Sequence, residues 1–434
     1  MPAVGRRVGE MASRTRRSIL RGVAAVTALT SLAALSSACV RTDGGANEVQ
    51  GEISVWSPPL AADDNSYWTP LSARLRQNHP RLLIKVESVA WAGRTQRLLS
   101  AIASGTPPDI AYVNRDTLPR LADDASIIVL DELLTPEQVG DFHPTVWPQA
   151  RYRERLWGVP AVLSIHLPFV NAGLAAAAGL DAASPPTDWQ SLESWARQLT
   201  RRPDQWGLSH RWSSDAAAST LIGWIWQAGG EIIEEPDGHR ALFDSDEAVA
   251  ALSYVKRLFD AGYIQSTDKY GQGTEFAGGR IGVLLWGGTS TPSLLANSAP
   301  GLPYVVGGAI AGRTRVATGM LASYAVLADG RNRPGAEAFV RFIARADSLR
   351  EIASATGYFP PVKSLSAESL WPGDAARAKM LAEVQNVKLD IQHRHARILS
   401  RILAEEGQAA LIDRKSPVKA LQDAAQRLNS EMAQ

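Results

Sequence analysis

Residues 98–114, LLSAIASGTPPDIAYVN, carry the switch that decides the fold. Leu98, Leu99 and Ile102 recur at helical spacing within residues 93–104, so one apolar face is turned inward. The Gly105 and Pro107-Pro108 region ends that helix, and Asp109 to Val113 reads as a short strand. Upstream the same alternation repeats. Arg81 to Val89 is strand-like, Glu52 to Trp56 is a first strand ending in Trp56-Ser57-Pro58-Pro59, and Tyr67 to Asn78 is a helix with Leu71 and Leu75 on one face. Strands alternating with helices predict an α/β fold with a parallel sheet. In such sheets ligands gather at the C-terminal strand ends, here the loops 56–66 and 114–117.

Farther on, Trp189 to Leu199 follows Pro185-Pro186-Thr187 and is predicted helical, with Thr187 or Asp188 as N-cap. Ser245 to Ala261 carries Asp246 and Glu247 in its first turn and meets Gly262 as a stop. Gly335 to Arg345 continues the pattern. The tail, 374–434, is helix-rich with a break near Arg414 to Pro417. There is no internal repeat. The chain has 434 residues, more than one core usually holds, which predicts two lobes or domains.

The first 38 residues read as an export signal. Arg16-Arg17 precedes an apolar run from Gly22 to Leu35, too short and too polar in its sequel for a membrane span. The arginine pair resembles a twin-arginine signal, with an ordinary Sec signal as the open alternative. Cys39 is the single cysteine, so no disulfide within the chain is possible. Leu35-Ser36-Ser37-Ala38-Cys39 resembles a lipobox, although its leucine stands four residues before the cysteine. The resemblance implies a diacylated Cys39, anchorage to the outer face of the cytoplasmic membrane, and a flexible tether over 39–50. Six arginines against Glu10 give the signal +5, so the total of +1 leaves −4 on the remainder. A chain of that charge lacks the basic stripe that nucleic acid requires.

Four stretches together resemble the family 1 extracellular solute-binding proteins of ABC importers, the maltose-binding-protein-like group. They are EISVWS (52–57) with 98–114, GVPAVLSIHLPFVN (158–171) with GLDAASPPTDW (179–189), FAGGRIGVLLWGG (276–288), and 321–345 with GYFPP (357–361). The resemblance implies a two-lobe periplasmic-binding-protein-like fold with three interlobe crossovers and a helix-rich C-terminus. It places one lobe at 51–161 plus 318–361 and the other at 162–317 plus 362–434. It also implies permease subunits as partners and a monomeric receptor.

Tryptophan is the commonest aromatic, thirteen against nine Tyr and eight Phe. An indole covers the C–H face of a sugar while carboxylates, amides and guanidinium groups take its hydroxyls. Trp56, Trp91, Trp212 and Trp286 fall at strand ends or in loops and are candidate ligand contacts. Trp224 and Trp226 are two apart and point to different sides of a helix; Trp226 is the candidate of the pair. Trp195 is expected in the core. The polar candidates are Asp64 after the first strand, Asn114 and Asp116 after the third, His166 in the first crossover, Glu231 after Gly229-Gly230, and Arg394. Truncating Trp286 or Trp212 is expected to weaken sugar binding tenfold, about 1.4 kcal/mol, with little change in melting temperature.

No Gly-x-Ser-x-Gly elbow, His-Glu-x-x-His or P-loop is present, and His393 and His395 are too close for metal ligation from one helix face. The reading is therefore a binding protein without cofactor or metal, with an exported glycosidase as the rival class. Within the binding class, a glycerophosphodiester would favour Arg394, Arg313 or Arg315, and an amino sugar would favour Glu231 and the aspartates.

Overall fold

The computed structural model describes residues 49–209, 215–234, 238–264 and 272–433. The expected signal, Cys39, most of the tether and Trp212 lie outside the described residues. The first three strands are β1 (Gly51–Ser57), β2 (Leu82–Ser88) and β3 (Ile110–Asn114). β1 pairs in parallel with both neighbours, and the helices Asn65–Asn78 and Arg94–Ala103 connect them. Asp109 locks the entry to β3. Its Oδ2 accepts from the Ser54 N–H at 2.7 Å and Oγ at 2.8 Å, and its Oδ1 accepts from the Asn332 N–H at 2.6 Å.

The remaining strands are β4 (Val159–Asn171), β5 (Trp206–Leu208), β6 (Ile281–Gly287), β7 (Tyr304–Val306), β8 (Ala317–Val326) and β9 (Val387–Leu389). They complete the order β2-β1-β3-β8-β4-β6-β5, with β7 beside β4 and β9 beside β8. The sheet is mixed, which corrects the all-parallel expectation. β8 runs antiparallel to β3 and β4, and β4 runs antiparallel to β6 and β7. The reason is connectivity: β4 leaves for a long excursion, and β8 brings the chain back beside it.

β4 belongs to both halves of the molecule. Val159 to His166 pairs with β8, and Leu167 to Asn171 pairs with β6 and β7, with an irregular register between Leu167 and Phe169. Every residue of β4 except His166 is buried, as a strand covered on both faces requires. On one side of this shaft a core gathers Ile53, Val55, Leu71, Tyr324 and Phe339. On the other a core gathers Leu192, Trp224, Phe243, Leu252 and Leu399. A third cluster, with Leu163, Phe169, Ile281 and Phe359, packs around the shaft itself.

The helix ends obey the sequence signals. Asp188 caps Trp189–Leu199 in a reciprocal box with Ser191, and Ser245 caps Asp246–Asp260 by accepting from the Ala248 N–H. Gly262 follows at φ +71°. The tail folds into the antiparallel-type helix pair Ala396–Leu411 and Pro417–Met432. Glu406 is buried between them and neutralised by Lys415 at 2.5 Å and Arg427 at 2.7 Å.

Candidate ligand-binding site

The loop after β3 brings the two halves together. Arg115 donates from Nε to the Gln149 carbonyl at 2.6 Å, from Nη2 to Gln392 Oε1 at 3.2 Å and from Nη1 to the Asp390 carbonyl. Asp116 pairs with Arg397 at 3.4 Å. Arg394 reaches Asp123 at 3.5 Å and Asp124 at 3.7 Å. Residues 390–395 thus form a strap that, with the start of the helix Ala396–Leu411, is laced to this loop and the helix after it, while Ala396–Leu411 itself packs on the other core.

Among the described residues, one hollow is lined from each half and one from both. The first lies at the C-terminal ends of β1 and β3, where Trp56, Arg94, Thr95, Tyr112 and Asn114 line it. The second, the roomiest of the three, is lined by Arg115 and Gln149 from one side and by Trp226, Glu231 and Lys388 from the other. The third, a narrow one, sits against Trp224 and Trp286 and is also lined by His166.

Their walls carry buried polar atoms that no described group satisfies. These include the Tyr112 hydroxyl, Asn114 Oδ1 and the indole N–H groups of Trp224, Trp226 and Trp286. A buried donor or acceptor left unmade costs about 1–3 kcal/mol, so a concentration of them in hollows marks where hydrogen-bonding ligand groups fit. The hollows combine that polarity with aromatic and aliphatic floor, the usual composition of a small-molecule site.

The predicted residues divide. Trp56, Asn114, Trp226, Glu231, Trp286 and His166 line the hollows. Trp56 has the Arg97 guanidinium 4.5 Å over its ring, leaving only its opposite face. Trp91 is 37% exposed, donates its indole N–H to the Pro59 carbonyl, and carries Arg94 over its ring at 4.8 Å. Glu231 is held by Lys388 at 2.6 and 2.7 Å, and that ammonium also lies 4.8 Å from the Trp226 ring. His166 Nδ1 lies 3.3 Å from Thr318 Oγ1. Asp64 is not brought to the hollows: its Oδ1 accepts from the N–H groups of Leu60 and Ala61, closing the loop after β1. Asp116 and Arg394 serve in the ion pairs between strap and loop. Trp212 falls outside the described residues.

Two tryptophan expectations need correction. Trp224 and Trp226 both line hollows rather than one alone, because two walls meet their helix. Trp286 is only 6% exposed, its ring edge-on to Trp224 at 5.7 Å and pressed on Gly223, where a Cβ would lie 2.5 Å from it. Its truncation therefore opens a cavity and lowers stability as well as binding.

Sequence reasoning missed Arg94, Tyr112, Arg115, Lys388, Gln392 and Asp390. Tyr112 lies in the middle of a strand whose C-terminal end was flagged, so its alternation was a usable signal; Arg115 and Lys388 depend on partners far away in sequence. Burial pushes the Asp390 carboxyl up, Asp116 pushes it further, and Arg115 and Arg94 pull it back, leaving it at about 7. Burial raises the Tyr112 phenol, so it remains a neutral donor and acceptor at physiological pH. Among the described residues no group of three or more His, Cys, Asp or Glu is placed to hold a metal, and no helix is long and apolar enough to cross a membrane.

Two α/β lobes joined by shared strands, with a polar hollow lined from both, define a binding-protein architecture. The sequence profile of the bacterial extracellular solute-binding proteins matches residues 73–379, and this chain belongs to that family. A curated binding protein of Brucella abortus (strain 2308) is 22% identical over 410 residues, covering 92% of this chain and 97% of its own. Among solved structures, an ABC transporter solute-binding protein of Thermotoga lettingae, bound with α-D-tagatose, superposes with a TM-score of 0.78 at 18% identity. It covers 88% of this chain and 99% of its own. The cyclic α-maltosyl-1,6-maltose binding protein of Arthrobacter globiformis gives 0.76 at 20% identity, covering 88% and 99%. At such identities the likeness is one of fold.

Proposed function

We propose that this protein is the carbohydrate-capturing receptor of an ABC importer, anchored by lipid on Cys39 to the outer face of the cytoplasmic membrane. The lobes divide at 51–161 plus 318–361 and 162–317 plus 362–434. They close on the ligand and present the closed form to the permease. The observation that carries this reading is the set of buried, unpartnered donors and acceptors on both cleft walls beside indole rings. Sugar hydroxyls donate and accept at once and satisfy both kinds of group. Solved neighbours described with tagatose and cyclic maltosyl-maltose support the same class.

The phosphodiester alternative loses its cations. Arg313 is paired with Glu247 at 3.2 Å, Arg315 with Glu383 at 2.8 Å, and Arg394 with Asp123 and Asp124. The amino-sugar alternative loses Glu231 to Lys388. The chain binds rather than converts its ligand. A thermal-shift screen of the full chain against neutral, amino and acidic sugars and glycerophosphodiesters tests this. Ligand at 100 times its dissociation constant adds about 2.7 kcal/mol of stability. A saccharide that raises the midpoint and is recovered unchanged supports a receptor. Consumption of the saccharide means an enzyme, and a response to phosphodiesters alone overturns the sugar reading.

A further inference from the structure

The hollow lined from both halves carries two cations and two carboxylates in its wall, Arg115, Lys388, Glu231 and Glu234. Lys388 is the middle residue of β9, and its neighbours Val387 and Leu389 are buried, so alternation turns its side chain the other way. The strand is held in register by β8, with Lys388 opposite Thr318. Gln149 brackets it, Nε2 donating to the Val387 carbonyl at 3.4 Å and Oε1 accepting from the Leu389 N–H at 3.1 Å. Glu231 follows the helix Asp215–Gln227, whose end is closed by the Gly230 N–H donating to the Ile225 carbonyl at 3.0 Å, with Gly229 at φ +89°.

These two placed side chains meet. Lys388 Nζ donates to Glu231 Oε1 at 2.7 Å and to Oε2 at 2.6 Å, and the same ammonium stands 4.8 Å from the Trp226 ring. Trp226 is 4% exposed and its indole N–H lacks an acceptor. The ion pair is therefore neighbour to a buried donor that still needs an oxygen. Its own side chains are 34% and 54% exposed, open to whatever enters. The other two charges stand differently. Arg115 is committed to the Gln149 and Asp390 carbonyls and to Gln392 Oε1. Glu234 is exposed, and its removal frees no cation, because Lys388 is held by Glu231.

We infer that the Glu231–Lys388 pair sets the charge specificity of this hollow, admitting a neutral sugar ring beside Trp226 and turning away both uronic acids and amino sugars. This deepens the carbohydrate reading and rests on it. A carboxylate offers several lone pairs and an ammonium three donors, so a hydroxyl can bond to either without breaking the pair. A sugar carboxylate must instead compete with Glu231 for Lys388, and a sugar ammonium must compete with Lys388 for Glu231. In each case the displaced member is left facing a ligand of its own sign, and that repulsion supplies the discrimination.

The test is calorimetric titration of the full chain at mildly acidic pH, where a sugar amine is protonated and a uronate ionised. The neutral probes are glucose, mannose, maltotriose, mannotriose and cellotriose; the charged ones are galacturonic acid, glucosamine and the trimer of each. Wild type should bind a neutral saccharide about tenfold more tightly than its charged counterparts. Glu231→Gln frees Lys388 and should improve the uronide about tenfold, whereas Lys388→Met frees Glu231 and should improve the amino sugar by a similar factor. Both gains should shrink at high salt. The double variant should return to the neutral preference, and Glu234→Gln should gain far less for the uronide than Glu231→Gln. Ligand-free melting of the single variants should move by less than about 3 °C, since the pair is exposed. A charge ranking that is the same in both single variants as in wild type overturns this inference and leaves the sugar receptor standing. So does an equal gain in Glu234→Gln, or a wild type that prefers a charged saccharide. No saccharide of any charge bound by wild type overturns both.

Discussion

The two walls of the cleft use tryptophan in opposite ways. On the β1–β3 side, Trp56 and Trp91 each carry an arginine across one ring face, Arg97 at 4.5 Å and Arg94 at 4.8 Å. That wall is polar, with the Tyr112 hydroxyl and Asn114 Oδ1 as its unmet groups. On the far side, Trp189, Trp224 and Trp286 pack against one another and Tyr254, and two of them keep an unpartnered N–H at the hollow. Equal residue types thus serve as a charged surface on one wall and as core with a polar edge on the other. What an indole does is set by what covers its faces, which composition does not report.

Four changes would break or sharpen that contrast. Trp286→Ala should cost most, about 3–5 kcal/mol of unfolding free energy, since the ring is core; denaturation of the ligand-free chain measures it, and a loss below 1 kcal/mol would make Trp286 a surface platform instead. Asp109→Ala, on the polar side, should cost about 2–3 kcal/mol by stranding the Ser54 and Asn332 donors, with the midpoint shifting and the denaturant slope unchanged. Trp226→Phe keeps the apolar floor and removes the N–H, so stability should hold while affinity for the captured sugar falls about tenfold, about 1.4 kcal/mol. Arg97→Ala should be smallest, below about 1 kcal/mol in stability, because the Arg97–Glu87 pair is exposed. It uncovers a face of Trp56, and a stronger fluorescence response of that residue to sugar would show the face in use.

Local signals made most of the fold readable. Asp188, one of the two cap candidates, the Gly262 stop and the helix-to-strand switch at Gly105 to Asp109 depend on neighbours a few residues away, and all stand in the structure. The sheet's mixed character was not readable, because it depends on β8 returning beside β4 after a long excursion. The site was legible only in outline. Strand ends pointed to Trp56 and Asn114, but the partners that neutralise Glu231, Arg313 and Arg315 lie 157, 66 and 68 residues away. Asp390 looks unremarkable in a run of polar tail residues. The burial and the Asp116 charge that raise its carboxyl pKa are announced by no spacing in the chain.

The sharing of β4 between both halves restricts how this chain can vary in length. Side chains on a strand alternate with a period of two, so one residue added or lost near Leu167 reverses the facing of every later position. Val170 and Phe169 would exchange sides, and the packing of one lobe would be inverted while the other, still paired to β8, stayed intact. Loops such as 56–66 can absorb insertions. The shaft cannot, so length variation among relatives should stop at its edges.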